Sequence, residues 1–216
     1  QRETGITTYA WAKHAPHLLV PIKNELCTQI GPDAPLLTIY AGEHGAAQCP
    51  RLSPDGSRVA FVADAELYVS STRGGAARQI TSGARDTGKT NGLAEYAAQE
   101  EMGRHDGFWW SPDGKKIAYA EVDETHIPVY RIVHQGKDTT GDGAQEDHRY
   151  PFAGKDNARV RLFIVDVESG LSTSMDTSYG EEVYLARVGW LNDGRLSCCS
   201  RWCSCRSWWA IPASCA

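Results

Sequence analysis

The chain has 216 residues, 41% of them hydrophobic and 23% charged, with 27 acidic against 22 basic side chains and a formal net charge of −5. These are ordinary values for roughly one globular domain, and they argue against general disorder, collagen and coiled coil. No run approaches the ~18 apolar residues of a membrane-spanning helix, the mild acidity argues against a dedicated nucleic-acid binder, and no signal-peptide pattern is present. The chain starts at Gln1 rather than Met, so the missing signal says little about compartment.

In chain order, Leu36 to Tyr40 is a β-rich run. Cys49 to Gly56 carries a strand end into Ser53-Pro54-Asp55-Gly56, and Ser57 to Val62 follows as a second strand. Asp-Gly tolerates the positive φ of a tight hairpin, and Pro pre-sets φ at the turn's first central position. Glu66 to Ser70 alternates, Gly74-Gly75 turns, and Arg78 to Thr81 resumes.

The next segment, Asn91 to Gly103, breaks the β pattern. It is rich in helix formers and reads as about three turns, with Asn91 as N-cap and Gly103 as terminator. So short a helix is marginal alone, so it must lean on the strands, with Leu93, Tyr96 and Ala97 as its packing face. Glu100 and Glu101 fall in its last turn, where the macrodipole is already negative. That local misfit hints at function; the plain alternative is two solvated surface carboxylates.

Phe108 to Gly114 repeats the strand-end and Ser-Pro-Asp-Gly unit before a strand over Lys115 to Ala120, and Val188 to Gly194 is a degenerate third copy before Arg195-Leu196. Trp109, Trp110 and Trp190 precede these turns, which favours core packing over ligand stacking. Between the copies, Gly136 to Asp147 reads as a solvated loop without calcium-loop spacing. Arg159 to Asp166 reads as a strand, and Val165 to Gly170 ends in a hairpin turn. Ser53 to Ser111 is 58 residues and Ser111 to Leu191 is 80, more than the ~40–50 of a propeller blade, so the blades carry insertions. The expectation is an all-β chain, a partial β-propeller of several antiparallel blades with one short helical insertion; the plain alternative is a β-sandwich.

Five of the seven cysteines fall between Cys198 and Cys215. Their C-C-x3-C-x-C spacing matches no common zinc set, and a disulfide knot needs a compact secreted context. Residues 197–216 are therefore read as an atypical tail, with a reading-frame change or truncation preferred to metal, disulfides or buried thiols. Cys27 and Cys49 are either buried thiols or a pair.

Three segments resemble the dipeptidyl peptidase IV family of serine exopeptidases. They are Asn91 to Gly114 with its double Glu, aromatic pair and Ser-Pro-Asp-Gly; His148 to Val160, similar to the family's R-Y-P-K-A-G-x-x-N-x-x-V segment; and Arg2 shortly before Thr8-Tyr9. The resemblance implies that residues 1–196 are part of an eight-bladed propeller, with sequence for three to four blades, so that the ring stays open. It implies removal of N-terminal X-Pro or X-Ala dipeptides, with Glu100 and Glu101 binding the substrate ammonium and Arg2 binding a substrate carbonyl. The chemistry is consistent: an α-amino group with a pKa near 8 is mostly cationic at neutral pH, and two carboxylates can share its three donors.

The family's Ser-Asp-His triad belongs to a C-terminal α/β-hydrolase domain with a G-x-S-x-G elbow. No G-x-S-x-G occurs in these residues, so the hydrolase domain is expected to be absent, the fragment to be inactive alone, and no catalytic residue is assigned. His105 and His126 are read as surface or packing residues. Implied partners are a peptide with a free N-terminus, the parent hydrolase domain and a second copy in a homodimer. No cofactor, metal or nucleic acid is expected, and the implied location is periplasmic or exported. The alternative reading is a propeller-type protein-binding module without peptidase activity.

Overall fold

The computed structural model describes residue 6 and residues 8–134, 144–176, 184–200 and 209–211, without the side chains of 199, 200 and 209–211. Its strands fall into successive antiparallel sheets, the blades of a partial β-propeller. The first blade is β1 (Ala10–Trp11), β2 (His17–Ile22), β3 (Glu25–Ile30) and β4 (Leu37–Tyr40), each strand paired with the next. The second repeats this meander with β5 (Gln48–Leu52), β6 (Arg58–Ala63), β7 (Glu66–Ser71) and β8 (Arg78–Gln79). The third begins with β9 (Lys89–Asn91), leaves the sheet through helix α1 (Tyr96–Met102), and re-enters as β10 (Phe108–Trp110) and β11 (Lys116–Asp123). A separate hairpin follows, β12 (Val129–Val133) against β13 (Gln145–Arg149). The blade then closes with β14 (Arg159–Asp166) and β15 (Ser172–Ser174). A further sheet consists of β16 (Leu185–Trp190), β17 (Leu196–Ser200) and β18 (Trp209–Ile211).

The repeated turns are built alike. In the second blade Ser53 Oγ donates to Asp55 Oδ1 (2.6 Å), which also accepts from the Ser57 N–H, while Ser53 Oγ accepts from the Arg58 N–H. Ser111, Asp113, Lys115 and Lys116 make the same set in the third blade. In the degenerate copy Asp193 accepts from the Arg195 N–H and guanidinium instead. The Ser111 hydroxyl holds the Asp113 carboxyl below its usual range against an opposing burial effect. Contact with Arg195 does the same for Asp193.

The central strands bury both faces, so their residues divide by parity between two neighbouring blades. Val59, Phe61 and Ala63 of β6 pack with Leu19, Leu26, Ile39 and Tyr40 of the first blade. Ala60 and Val62, one residue out of phase, pack with Phe108, Ile117 and Tyr119 of the third. From β11, Ala118, Ala120 and Val122 face Leu185, Leu196 and Cys198. Each side chain of the size of Phe61 contributes about 1.5–3 kcal/mol on full burial. Trp110 is partly buried against one of these cores, and Trp109 and Trp190 against another.

Several expectations are corrected. Helix α1 starts at Tyr96, with Glu95 as N-cap, because Asn91 lies in β9 and spends its amide on Glu66 (2.8 Å). The buried helix residue is Ala98; Tyr96 is 40% exposed, and Leu93 packs on the core from outside the helix. Gln145 to Asp147 belong to strand β13 rather than a loop. Cys27 and Cys49 are separate thiols. Residues 197–200, at the start of the segment read as a tail, pair with β16 across an irregularity between Leu185 and Arg187, with Ser197 and Cys198 buried. Cys203, Cys205 and Cys215 lie outside the described residues, as does Arg2.

Candidate functional site

The double Glu stands on an excursion out of an edge strand. β9 and β10 pair with the same side of β11, β9 against Glu121 to Asp123 and β10 against Ile117 to Tyr119. Ala120, between these stretches, uses both backbone groups on the neck of the excursion. Its carbonyl accepts from the Gly92 N–H (2.8 Å), and its N–H donates to the Gly107 carbonyl (2.8 Å). Leu93 and Asp106 form the last bridge before the chain opens out. The neck is so tight that a Cβ on Gly107 would sit 2.4 Å from the backbone of Gly92 and Leu93. Only glycine fits there without moving one strand.

Polar contacts fix the neck from below. Glu66, 1% exposed, accepts from Thr81 Oγ1 (2.6 Å), the Ala84 N–H (2.6 Å) and Asn91 Nδ2. The Asn91 N–H donates to the Ala65 carbonyl (2.8 Å). A buried carboxylate is tolerated only when satisfied in this way.

The helix itself is only seven residues long. Gly103 at φ 58° ends it in the left-handed conformation, and the N–H groups of Gly103 and Arg104 both return to the Ala98 carbonyl, the latter at 2.9 Å. The residues just before and after the helix are tied by a buried ion pair. Arg104 Nη2 meets Glu95 Oε2 at 2.5 Å, with both side chains 4% exposed. Arg104 also donates to the carbonyls of Leu185 (2.8 Å) and Asp106 (2.8 Å). Arg187 of β16 donates back to the Met102 carbonyl at the helix end (2.9 Å).

Glu100 and Glu101 are adjacent and exposed in the last turn of α1. Tyr96, one turn before Glu100, meets Tyr150 edge-on at 5.0 Å between ring centroids, with the hydroxyls 3.5 Å apart. Two sequence motifs 54 residues apart therefore meet beside the acidic pair. The Tyr150 hydroxyl raises the Tyr96 phenol above its ordinary value, helped by desolvation and by the charges of Glu100 and Glu101. Phe152 continues the aromatic row from Tyr150 (5.1 Å) to Tyr130 (5.9 Å). Nearby, burial pushes the Glu124 carboxyl up, and Arg149 opposes it.

Sequence reasoning singled out Glu100 and Glu101 but not Glu95, Arg104, Arg187 and Tyr150, which the structure places in the same assembly. The one usable signal was the R-Y-P segment, whose Tyr150 reaches the helix. A pocket of about 250 Å³ lies elsewhere, at the turn ends of β10 and β16, walled by Ser111, Asp113, Lys116, Trp190, Asn192 and Asp193. Its two aspartates are already engaged by their turns, so it offers less chemistry than the helix. Among the described residues no cluster of three His, Cys, Asp or Glu is placed to hold a metal, and no helix is long and apolar enough to cross a membrane.

Residues 11–205 match the family model described as Dipeptidyl peptidase IV (DPP IV) N-terminal region. The chain is 31% identical over 160 residues to Prolyl endopeptidase FAP of Homo sapiens, covering 69% of this chain and 20% of that protein. It is 27% identical over 207 residues to Probable dipeptidyl-aminopeptidase B of Talaromyces stipitatus, covering 89% and 22%. The crystal structure of Porphyromonas gingivalis dipeptidyl peptidase 4 superposes with a TM-score of 0.70 at 21% identity, over 90% of this chain and 29% of that one. The chain thus spans about a fifth of the length of the curated relatives it matches.

Proposed function

The chain belongs to the dipeptidyl peptidase IV family, and from that premise we propose that it is the substrate-recognition part of a serine peptidase that removes N-terminal X-Pro or X-Ala dipeptides. In this reading Glu100 and Glu101 share the three donors of the substrate's α-ammonium, and Arg2 binds a carbonyl further along the peptide. Hydrolysis is carried out by a Ser-Asp-His triad on an α/β-hydrolase domain outside these 216 residues. The peptide substrate, that domain and a second copy are the proposed partners.

The observation that carries the reading is the placement of the acidic pair. Two adjacent carboxylates stand exposed on the last turn of a helix whose neck, ends and neighbours are all pinned. Held side by side, like charges repel, and a cation relieves that repulsion. A fixed grip on the ammonium also measures length, since only a chain beginning two residues before the scissile bond places its carbonyl at the nucleophile.

The test is steady-state kinetics of the assembled enzyme carrying this propeller segment, with a Gly-Pro chromogenic substrate. Glu100→Ala or Glu101→Ala removes one partner of a charge-assisted contact, a loss of about 2–5 kcal/mol that lowers kcat/KM by roughly 30-fold or more. Near-normal kinetics in both variants would refute the assignment. The isolated chain is expected to give no turnover, and measurable hydrolysis by it would overturn the placement of the triad elsewhere.

A further inference from the structure

We propose that Arg104 and Arg187 form a reciprocal clasp that sets the pose of the double-Glu turn, so that recognition of the free amine depends on the seam between the third blade and β16. The inference rests on the ammonium-binding reading of Glu100 and Glu101 and adds the residues that aim them.

The two arginines cross the same seam in opposite directions. Arg104, just after the helix, reaches the Leu185 carbonyl on β16 (2.8 Å). Arg187, on β16, reaches the Met102 carbonyl at the end of the helix (2.9 Å) and the Ala186 carbonyl on its own strand (2.7 Å). The helix needs such help. Its last turn holds both glutamates and no basic residue of its own, which places like charge at the negative end of the macrodipole. Arg187 supplies the missing cation from the neighbouring sheet, directly on a terminal carbonyl. Arg104 has a different task. Its charge is cancelled by Glu95, so it acts as a buried strut that joins the two ends of the helix and ties both to β16.

The helix has little core of its own to hold it in one orientation. Of its own residues only Ala98 is buried, and an isolated helix of this length is unstable in water. Carboxylates that share one ammonium must be held within about 0.5 Å of their productive geometry, and a misplacement of 1 Å can cost about 10²-fold. Arg104 and Arg187 are positioning residues in this account, since the groups they engage are Glu95 and backbone carbonyls of this chain.

The experiment measures binding of Gly-Pro-Ala and of its N-acetyl form to the 216-residue chain by titration calorimetry, with thermal unfolding recorded for every variant. The readout is the ratio of the two affinities, which loss of stability alone does not move in folded protein. Arg187→Met, a change at an exposed side chain, is expected to lower that ratio by about tenfold or more with little change in the unfolding midpoint. Arg187→Lys, which keeps the charge and a donor, is expected to recover most of it. Arg104→Met, which leaves the buried Glu95 unpaired, is expected to lower the unfolding midpoint and the ratio together. The clasp is refuted if Arg187→Met keeps the wild-type ratio while Glu100→Gln and Glu101→Gln lose it. If the two glutamine variants also keep the ratio, the ammonium-binding reading falls, and the clasp falls with it.

Discussion

The second and third blades and the helical excursion between β9 and β10 are neighbours held by different forces. The blades are held by apolar side chains that alternate between two cores, as when Phe61 faces one way and Val62 the other. The excursion has one buried residue in its helix and is held by a glycine neck, a buried ion pair and two arginines that cross a seam. Burial by periodicity gives a scaffold that tolerates local change. A polar, pinned loop gives a small set of side chains a defined pose with little core of its own. The two regions should therefore respond differently to substitution.

The largest expected effect lies in the blades. Phe61→Ala empties a fully buried position shared by two blades, and denaturant unfolding should show a loss of about 3–5 kcal/mol. A loss below about 1 kcal/mol would mean that the shared core does not carry the scaffold. Next comes Gly107→Ala, which forces a methyl against backbone at 2.4 Å. Overpacking of this kind costs about 1–3 kcal/mol. It should also lower the affinity ratio between free-amine and N-acetyl peptide, whereas the effect of Phe61→Ala should be confined to stability. Equal ratios in the two variants would erase the contrast between the regions.

A smaller effect concerns acid. The folded-state values of Asp113 and Asp193 lie below the ordinary 3.8. Each therefore contributes stability that is complete above that value and is lost as pH falls through the lower folded value. Ser111→Ala removes the main hydrogen bond of Asp113 and the bond to the Lys116 N–H. It should cost roughly 0.5–1.5 kcal/mol per bond at neutral pH and flatten the acid limb of a stability-against-pH curve. An unchanged acid limb would show that the turn aspartates are not the groups that titrate. The smallest effect is expected at Arg131, whose fork on Asp147 (2.6 and 2.7 Å) lies on the exposed hairpin. Arg131→Ala should leave the unfolding midpoint unmoved, because exposed pairs of this kind contribute little.

The legibility of the sequence follows the same division. Ser53 to Gly56 and Ser111 to Gly114 announce their hairpins because each turn is closed by residues two to five positions apart. β6, β7, β11 and β14 carry β-rich runs long enough to read directly. β2 and β3 escaped notice because His17 to Ile22 does not alternate and the turn between them uses Lys23 at φ 56° in place of glycine. β13 escaped because its residues are all polar or charged and it pairs only with β12. The helix was visible, but its start was placed at Asn91, whose amide serves Glu66 25 residues away. Glu100 and Glu101 became candidates through family resemblance. Their supports stayed hidden because Arg104 reaches Leu185 across 81 residues and Arg187 reaches Met102 across 85. No local pattern encodes such contacts.

The central claim is that the acidic pair on α1 binds a charged amino terminus. It is tested most directly by measuring Gly-Pro-Ala affinity for the chain as pH is raised through the titration of the peptide's amine, whose pKa is near 8. The account predicts constant affinity between about pH 6 and that range, a fall approaching tenfold per pH unit above it, and no such pH dependence for the N-acetyl form. Affinity that stays level to pH 9.5, or an N-acetyl peptide that binds equally well, would contradict it.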